Sequence, residues 1–195
     1  MPRRPNEARR EQLLDELEKI FLTEGFLHLR VGTLASRLHC SRSTLYELAN
    51  SKEELIGRVV TRFADRVVHE AAEYAETSES PVERITRFFS VIATYQDKGS
   101  ARFWREAYTH PGTLARFDRS RSWGIDKIKG YLDEGIASGT LRPANTAFIA
   151  HVIWLAARAT RDPDLLETLG ASSGDAVLEL GSLVVKGMAV PERRE

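Results

Sequence analysis

Almost every stretch of this chain repeats its apolar residues at the spacing of an α-helix, and no alternating run of β-branched and polar residues is long enough for a strand. The periodicity predicts an all-α fold. Leu13, Leu14, Leu17, Ile20 and Phe21 make one stripe over about Glu7 to Glu24, where Gly25 offers a left-handed stop. Leu34, Ala35 and Leu38 mark a short second helix, and Leu45, Leu48 and Ala49 a third. His39-Cys40-Ser41 is the tight segment between them, with Ser41 placed as an N-cap. Ser51-Lys52-Glu53-Glu54 reads as a capping box that opens a long helix through Leu55, Ile56, Val59, Val60 and Phe63 to about Ala75.

A second capping box, Ser80-Pro81-Val82-Glu83, starts a helix striped by Ile85, Phe88, Phe89 and Ile92. A short aromatic helix follows with Phe103, Trp104 and Tyr108, and then a long one that runs to Ser138. Gly124, Gly130 and Gly135 each cost that helix about 1 kcal/mol relative to alanine, which implies a kink or a close neighbour. Segment 144–160 mixes small and bulky apolar residues, Asp162-Pro163 opens a one- or two-turn element, and segment 174–188 has an unusually broad apolar face. About nine helices are expected in all.

Composition excludes several classes. Apolar residues make up 42% of the 195, and no segment approaches the roughly 20 uninterrupted apolar residues of a membrane span. The basic start leads into a charged amphipathic stretch without a signal-peptide core, so a cytoplasmic location is expected. One cysteine, Cys40, can form neither an internal disulfide nor a zinc site alone, and its turn position favours packing over reactivity. No glycine-rich phosphate loop, metal-spaced His and Cys pair or GxSxG nucleophile is present, so no catalytic residue, metal or cofactor is expected and an enzyme is disfavoured. Charge balances at 28 basic against 28 acidic residues, but Arg3, Arg4, Arg9 and Arg10 crowd the start while Glu11 to Glu18 is acidic.

The informative segment is Val31 to Leu55, VGTLASRLHCSRSTLYELANSKEEL. Val31, Leu34-Ala35, Ser41, Thr44-Leu45-Tyr46 and Ser51-Lys52-Glu53 with Leu55 match in spacing and type the signature it resembles, that of the TetR family of helix-turn-helix transcriptional regulators. The close match covers roughly the first 60 residues. The resemblance implies an N-terminal three-helix DNA-binding domain over residues 1–54, a connector helix from 51 to about 76, and a helical ligand-sensing and dimerisation domain over 55–195. Independently of family, a helix-turn-helix puts the first residues of its second helix into the major groove. Those residues are Ser41, Arg42, Ser43 and Thr44, and Arg42 can fork to guanine, discriminating by about 1–3 kcal/mol. The resemblance adds a phosphate or thymine-methyl contact for Tyr46 and a phosphate contact for Lys52, and Thr33 is a further phosphate candidate. A core aromatic at Tyr46 and an ordinary surface lysine at Lys52 are the competing readings.

Some positions depart from the family pattern. His39 stands where family turns carry glycine and a positive φ is expected; Leu48 and Ala49 replace a histidine and phenylalanine; Gly32 has no side chain to read DNA. The resemblance further implies a homodimer through segments 144–160 and 174–188, a double-stranded operator as partner, repression as the default, and a small apolar or amphipathic effector. Phe89, Phe103, Trp104, Tyr108, His151 and Trp154 are the pocket candidates, with His110 and Arg121 as further polar groups, although an aromatic at helical spacing is as readily core. A TetR-like interaction or adaptor protein with weakened specific DNA binding is the alternative.

Overall fold

The computed structural model describes residues 7–190, apart from the side chains at 117, 118, 120 and 121, so Arg3, Arg4 and the Arg121 side chain lie outside the described residues. Among the described residues ten α-helices follow one another: α1 Glu7–Glu24, α2 Val31–Arg37, α3 Arg42–Tyr46, α4 Lys52–Ala75, α5 Pro81–Gln96, α6 Ala101–Thr109, α7 Pro111–Ala137, α8 Thr146–Ala159, α9 Pro163–Leu169 and α10 Ser173–Met188. The described residues hold no strand, only an isolated antiparallel bridge between Leu141 and Ala189. The two-turn α9 takes the count past the nine expected.

Local chemistry sets the helix ends where the sequence marks them. Ser41, Ser80, Ser100, Asn145, Asp162 and Ser172 each accept a backbone N–H in the first turn of the following helix, which satisfies donors that have no partner inside it. Ser51 does the same for Glu54 N–H at 3.0 Å, but Glu54 reaches back to Asn50 rather than to Ser51 as a reciprocal box would. Gly25 has φ 78°, and His39 has φ 49°, the one described non-glycine residue in the left-handed region.

Two compact units form, and neither is contiguous in sequence: one takes the chain through Ala64 and again from Lys98 to Asp118, the other takes Asp65–Asp97 and the chain from Arg119 on. In the first, α1 buries Leu13, Leu14, Leu17, Phe21 and Leu22, with Leu22 in the place expected of the half-buried Ile20. Phe26 and Phe63 pack on Phe103 of α6 at 6.1 and 5.9 Å between ring centres, both nearly edge-on. Residues 55–64 and 98–118, read from sequence as sensor-domain, thus belong structurally with the N-terminal helices.

The acidic stretch of α1 has a specific target. Glu11, Asp15 and Glu18 share one helix face, and Arg62 of α4 meets them at 3.0, 2.7 and 3.5 Å. Glu18 is buried, so it meets that guanidinium largely out of water.

In the second unit, Ala71, Ala72 and Ala75 of α4 let Ile85, Phe88 and Phe89 of α5 come close, and Ile128, Tyr131 and Leu132 of α7 complete the core with Ile153 and Val177. Gly181 of α10 lies where a Cβ would fall 2.8 Å from the Phe89 ring, so only glycine admits this helix approach. Gly135 likewise makes room for Leu141, which answers the expectation of a close neighbour in α7.

Replacing Arg62 with Met should lower the unfolding free energy by about 2 kcal/mol, since it leaves a buried carboxylate and two like charges without their cation. Urea denaturation of Arg62→Met beside Arg62→Lys checks this, the lysine variant retaining part of the loss because an ammonium cannot fork among three acids.

Candidate nucleic-acid interface and ligand cavity

The helix-turn-helix is assembled by side chains from outside it. Arg9 and Arg10 of α1 donate to the carbonyls of Leu38 and Glu47, both at 3.2 Å, closing the C-terminal ends of α2 and α3 with positive charge. Lys52 Nζ donates to Leu27 O at 2.6 Å, and Arg37 pairs with Glu24 at 2.5 Å. Two of the arginines that made the chain's start look like a basic arm therefore act as caps.

Around α3, Ser41 Oγ accepts Thr44 N–H at 3.1 Å and sits 2.6 and 2.9 Å from the hydroxyls of Ser43 and Thr44. Ser41, Arg42 and Ser43 are exposed and Thr44 half-buried, while Leu45, Leu48 and Ala49 face the core. Tyr46 is 49% exposed, which removes the core-aromatic reading. Thr33 is exposed on α2. A Cβ on Gly32 would fall 2.7 Å from Arg42 Nη2, so the missing side chain at Gly32 makes room for the Arg42 guanidinium against α2. Thr33, Ser41, Arg42, Ser43, Thr44 and Tyr46 are brought onto α2 and α3, and Lys52 onto the start of α4 beside the α1–α2 loop. Burial pushes the Cys40 thiol up, Arg9 opposing and Glu16 adding to the shift, which keeps it protonated and unreactive at neutral pH.

That loop depends on a residue the sequence did not single out. Glu106 of α6 accepts Phe26 N–H at 2.5 Å and Leu27 N–H at 2.8 Å, and pairs with Arg102 at 3.0 Å. Burial pushes its carboxyl up, but the two N–H donors and Arg102 outweigh that and hold it below the usual range. Nothing around Glu106 in sequence signals this, because its partners lie about 80 residues earlier.

A cavity of about 80 Å³ lies wholly within the second unit. Phe88 and Phe89 of α5, Ile125 and Ile128 of α7, and Ile153 and Trp154 of α8 line it, with Arg161, just beyond α8, as the charged residue in the lining. Two expected pocket residues, Phe89 and Trp154, are among these. Phe103 and Trp104 do not line it: they are buried in the other unit, edge to face at 4.8 Å, and Tyr108 packs beside Trp104. The aromatic stripe of α6 fills a core. His110 also belongs to that unit, and His151 is exposed and stacked on Trp154 at 5.3 Å rather than turned into the cavity. Among the described residues, no helix is long and apolar enough to cross a membrane.

No family model matches the chain. The HTH-type transcriptional repressor KstR2 of Mycolicibacterium smegmatis is 24% identical over 161 residues, which is 77% of this chain and 78% of that protein. A TetR transcription regulator from Haloarcula marismortui matches with a TM-score of 0.79 at 12% identity, over 95% of this chain and all of the other. A candidate transcriptional regulator from Saccharomonospora viridis, in complex with choline, matches with a TM-score of 0.75 at 15% identity, over 95% and 100% of the two chains. At such identities the solved structures establish the fold.

Because its folded-state pKa is depressed, Glu106 contributes stability that is fully present above the carboxylate's unfolded pKa of about 4.3 and lost as pH falls through the lower folded value. Glu106→Leu should remove that pH dependence and, by leaving two N–H groups without an acceptor, cost about 2–3 kcal/mol at neutral pH. Thermal melts of both proteins between pH 3 and 7 test it, the two curves converging at the acid end.

Proposed function

We propose that this chain, which has the fold of TetR-family regulators, is a ligand-responsive, sequence-specific DNA-binding regulator of transcription. It acts as a repressor released from a palindromic operator by a small apolar or amphipathic molecule. The observation that carries this reading is the α2–turn–α3 pair, whose second helix is capped by Ser41 and presents Arg42, Ser43 and Tyr46 outward. Arg42 reads a base edge, and the Ser41, Ser43 and Thr44 hydroxyls, Tyr46, Thr33 and Lys52 grip backbone and groove edges that fix its register. The curated relative, a repressor, supports the regulatory sign.

Two copies are needed to read a palindrome, and α8 and α10 supply the surface. Phe148 is 66% exposed, and Val152 and Leu155 continue its stripe, while Leu178 and Leu183, at 47% and 60%, stand out on α10. Apolar faces this broad are covered by a second copy, which makes a two-fold pair. The two recognition helices then have to sit about 34 Å apart to enter successive major grooves. Because α4 begins at Lys52 and continues into residues that pack with the cavity unit, an effector bound there can change that spacing. Moving the equilibrium from 1:99 to 99:1 takes about 5.5 kcal/mol of differential affinity, within reach of burying an apolar ligand.

Selection of bound genomic fragments tests the core of this reading, with a recovered palindrome expected and purely nonspecific recovery favouring an interaction module instead. On the recovered site, Arg42→Ala should relax preference at one base of each half, and Lys52→Ala should weaken binding to every sequence and lower the salt slope by about one unit. Separately, Phe148→Glu, at an exposed position, should give monomers in light scattering that keep their helical content but lose tight operator binding.

A further inference from the structure

We propose that Gly32 is a specificity-determining position: its bare backbone seats the Arg42 guanidinium and thereby fixes the base of each half-site at which Arg42 discriminates. The proposal rests on the reading of Arg42 as the base-reading side chain. A Cβ at position 32 would fall 2.7 Å from Arg42 Nη2, 2.9 Å from Nε and 3.0 Å from Cζ, so the guanidinium takes up the volume that any other residue's side chain would fill. Gly32 is half-buried, whereas Thr33, the next residue on α2, is exposed.

Neither residue serves the helix that carries it. α2 has seven residues, and Gly32 in its first turn is a poorer helix former than alanine. Arg42 opens α3 and lays its guanidinium on the first turn of α2, so a cation lies at two helix N-termini, where the helix dipole favours an anion. Two local costs meeting at one contact belong to a binding surface rather than to the fold. Neighbouring arginines are spent differently: Arg9 and Arg10 donate to the carbonyls of Leu38 and Glu47, and Arg37 pairs with Glu24. The guanidinium of Arg42 adds instead to two positive helix ends, a combination that an anionic duplex complements.

The seat decides the aim. A long side chain at an exposed helix start gives up much rotamer freedom when it docks, and lying over Gly32 confines the fork beforehand. A methyl group at position 32 would push the guanidinium out by about 1 Å to reach ordinary contact at about 3.5–4.0 Å. Both arms of a fork on guanine need about 2.7–3.2 Å, so a shift of that size breaks the pair unless the side chain is aimed elsewhere. The Ser41 hydroxyl, 2.6 and 2.9 Å from those of Ser43 and Thr44, keeps the rest of the turn in place.

Selection from a random-sequence duplex library, run with the full-length protein, Gly32→Ala, Arg42→Ala and the double variant, reads base preference position by position. Arg42→Ala should lower the preference for one base of each half-site about tenfold or more, and Gly32→Ala should lower it at the same base about fivefold. Other positions and the salt dependence should stay as in the parent. Added to Arg42→Ala, Gly32→Ala should change nothing further. Its melting temperature should equal or exceed the parent's, because only the far end of a flexible side chain has to move and alanine suits the helix better. Gly32→Ala that spares the Arg42 base, alters a different position, weakens binding to all sequences alike or acts equally in the Arg42→Ala background would overturn the positioning role while leaving Arg42 as the reader. A lower melting temperature would overturn it too, since the guanidinium would then be wedged in place rather than seated. If Arg42→Ala leaves every base preference intact, the base-reading assignment of Arg42 falls, and this proposal with it.

Discussion

A helix that stops at Gly25 and another that starts at Val31 leave a loop whose backbone donors need acceptors, and Phe26 within it is buried beside Phe21 and Phe103. Glu106 supplies that acceptor, taking the N–H groups of Phe26 and Leu27, and Lys52 takes the carbonyl of Leu27 from the other side. Phe26 and Leu27 are therefore held by α6 and by the first turn of α4, which fixes the loop that leads from α1 into α2. Leaving those two donors unmet would cost about 2–3 kcal/mol, a sizeable share of the about 5–15 kcal/mol by which a domain is folded. The α2–turn–α3 pair is thus anchored, through the loop before it, by a carboxylate about 80 residues further along the chain.

Features whose causes are local were legible without coordinates. The Ser41 cap, the left-handed turns at Gly25 and His39 and the starts of α5 and α9 each need only a few neighbouring residues, and each lies where its residue type demands. The acidic run of α1 was half legible. Helical spacing puts Glu11, Asp15 and Glu18 on one face, but nothing in the sequence names Arg62, which lies 44 to 51 residues further on, as the cation they share.

Tertiary choice decides the rest. The aromatics of α6 carry the same pattern whether they wall a cavity or fill a core, and it is the partners Phe26 and Phe63, far off in sequence, that make Phe103 and Trp104 core. Conversely, Gln96 and Arg161 sit at helix ends, where polar residues ordinarily read as solvated. Their meeting beyond the ends of α5 and α8 is invisible to any periodicity.

α3 is only five residues long, a single turn and a half. A helix that short is far from stable alone in water, where about 12–15 residues are needed even for marginal order. What keeps it formed is the Ser41 cap, the Arg10 contact at Glu47 and the buried Leu45, with Leu48 and Ala49 buried just past its end, so it can open without the rest of its unit unfolding. Its amides should accordingly exchange with deuterium far sooner than those of α1 or α4. Contact with a duplex would then slow that exchange at α3 above all, and part of the free energy of docking would go into stiffening the reader before any base is distinguished.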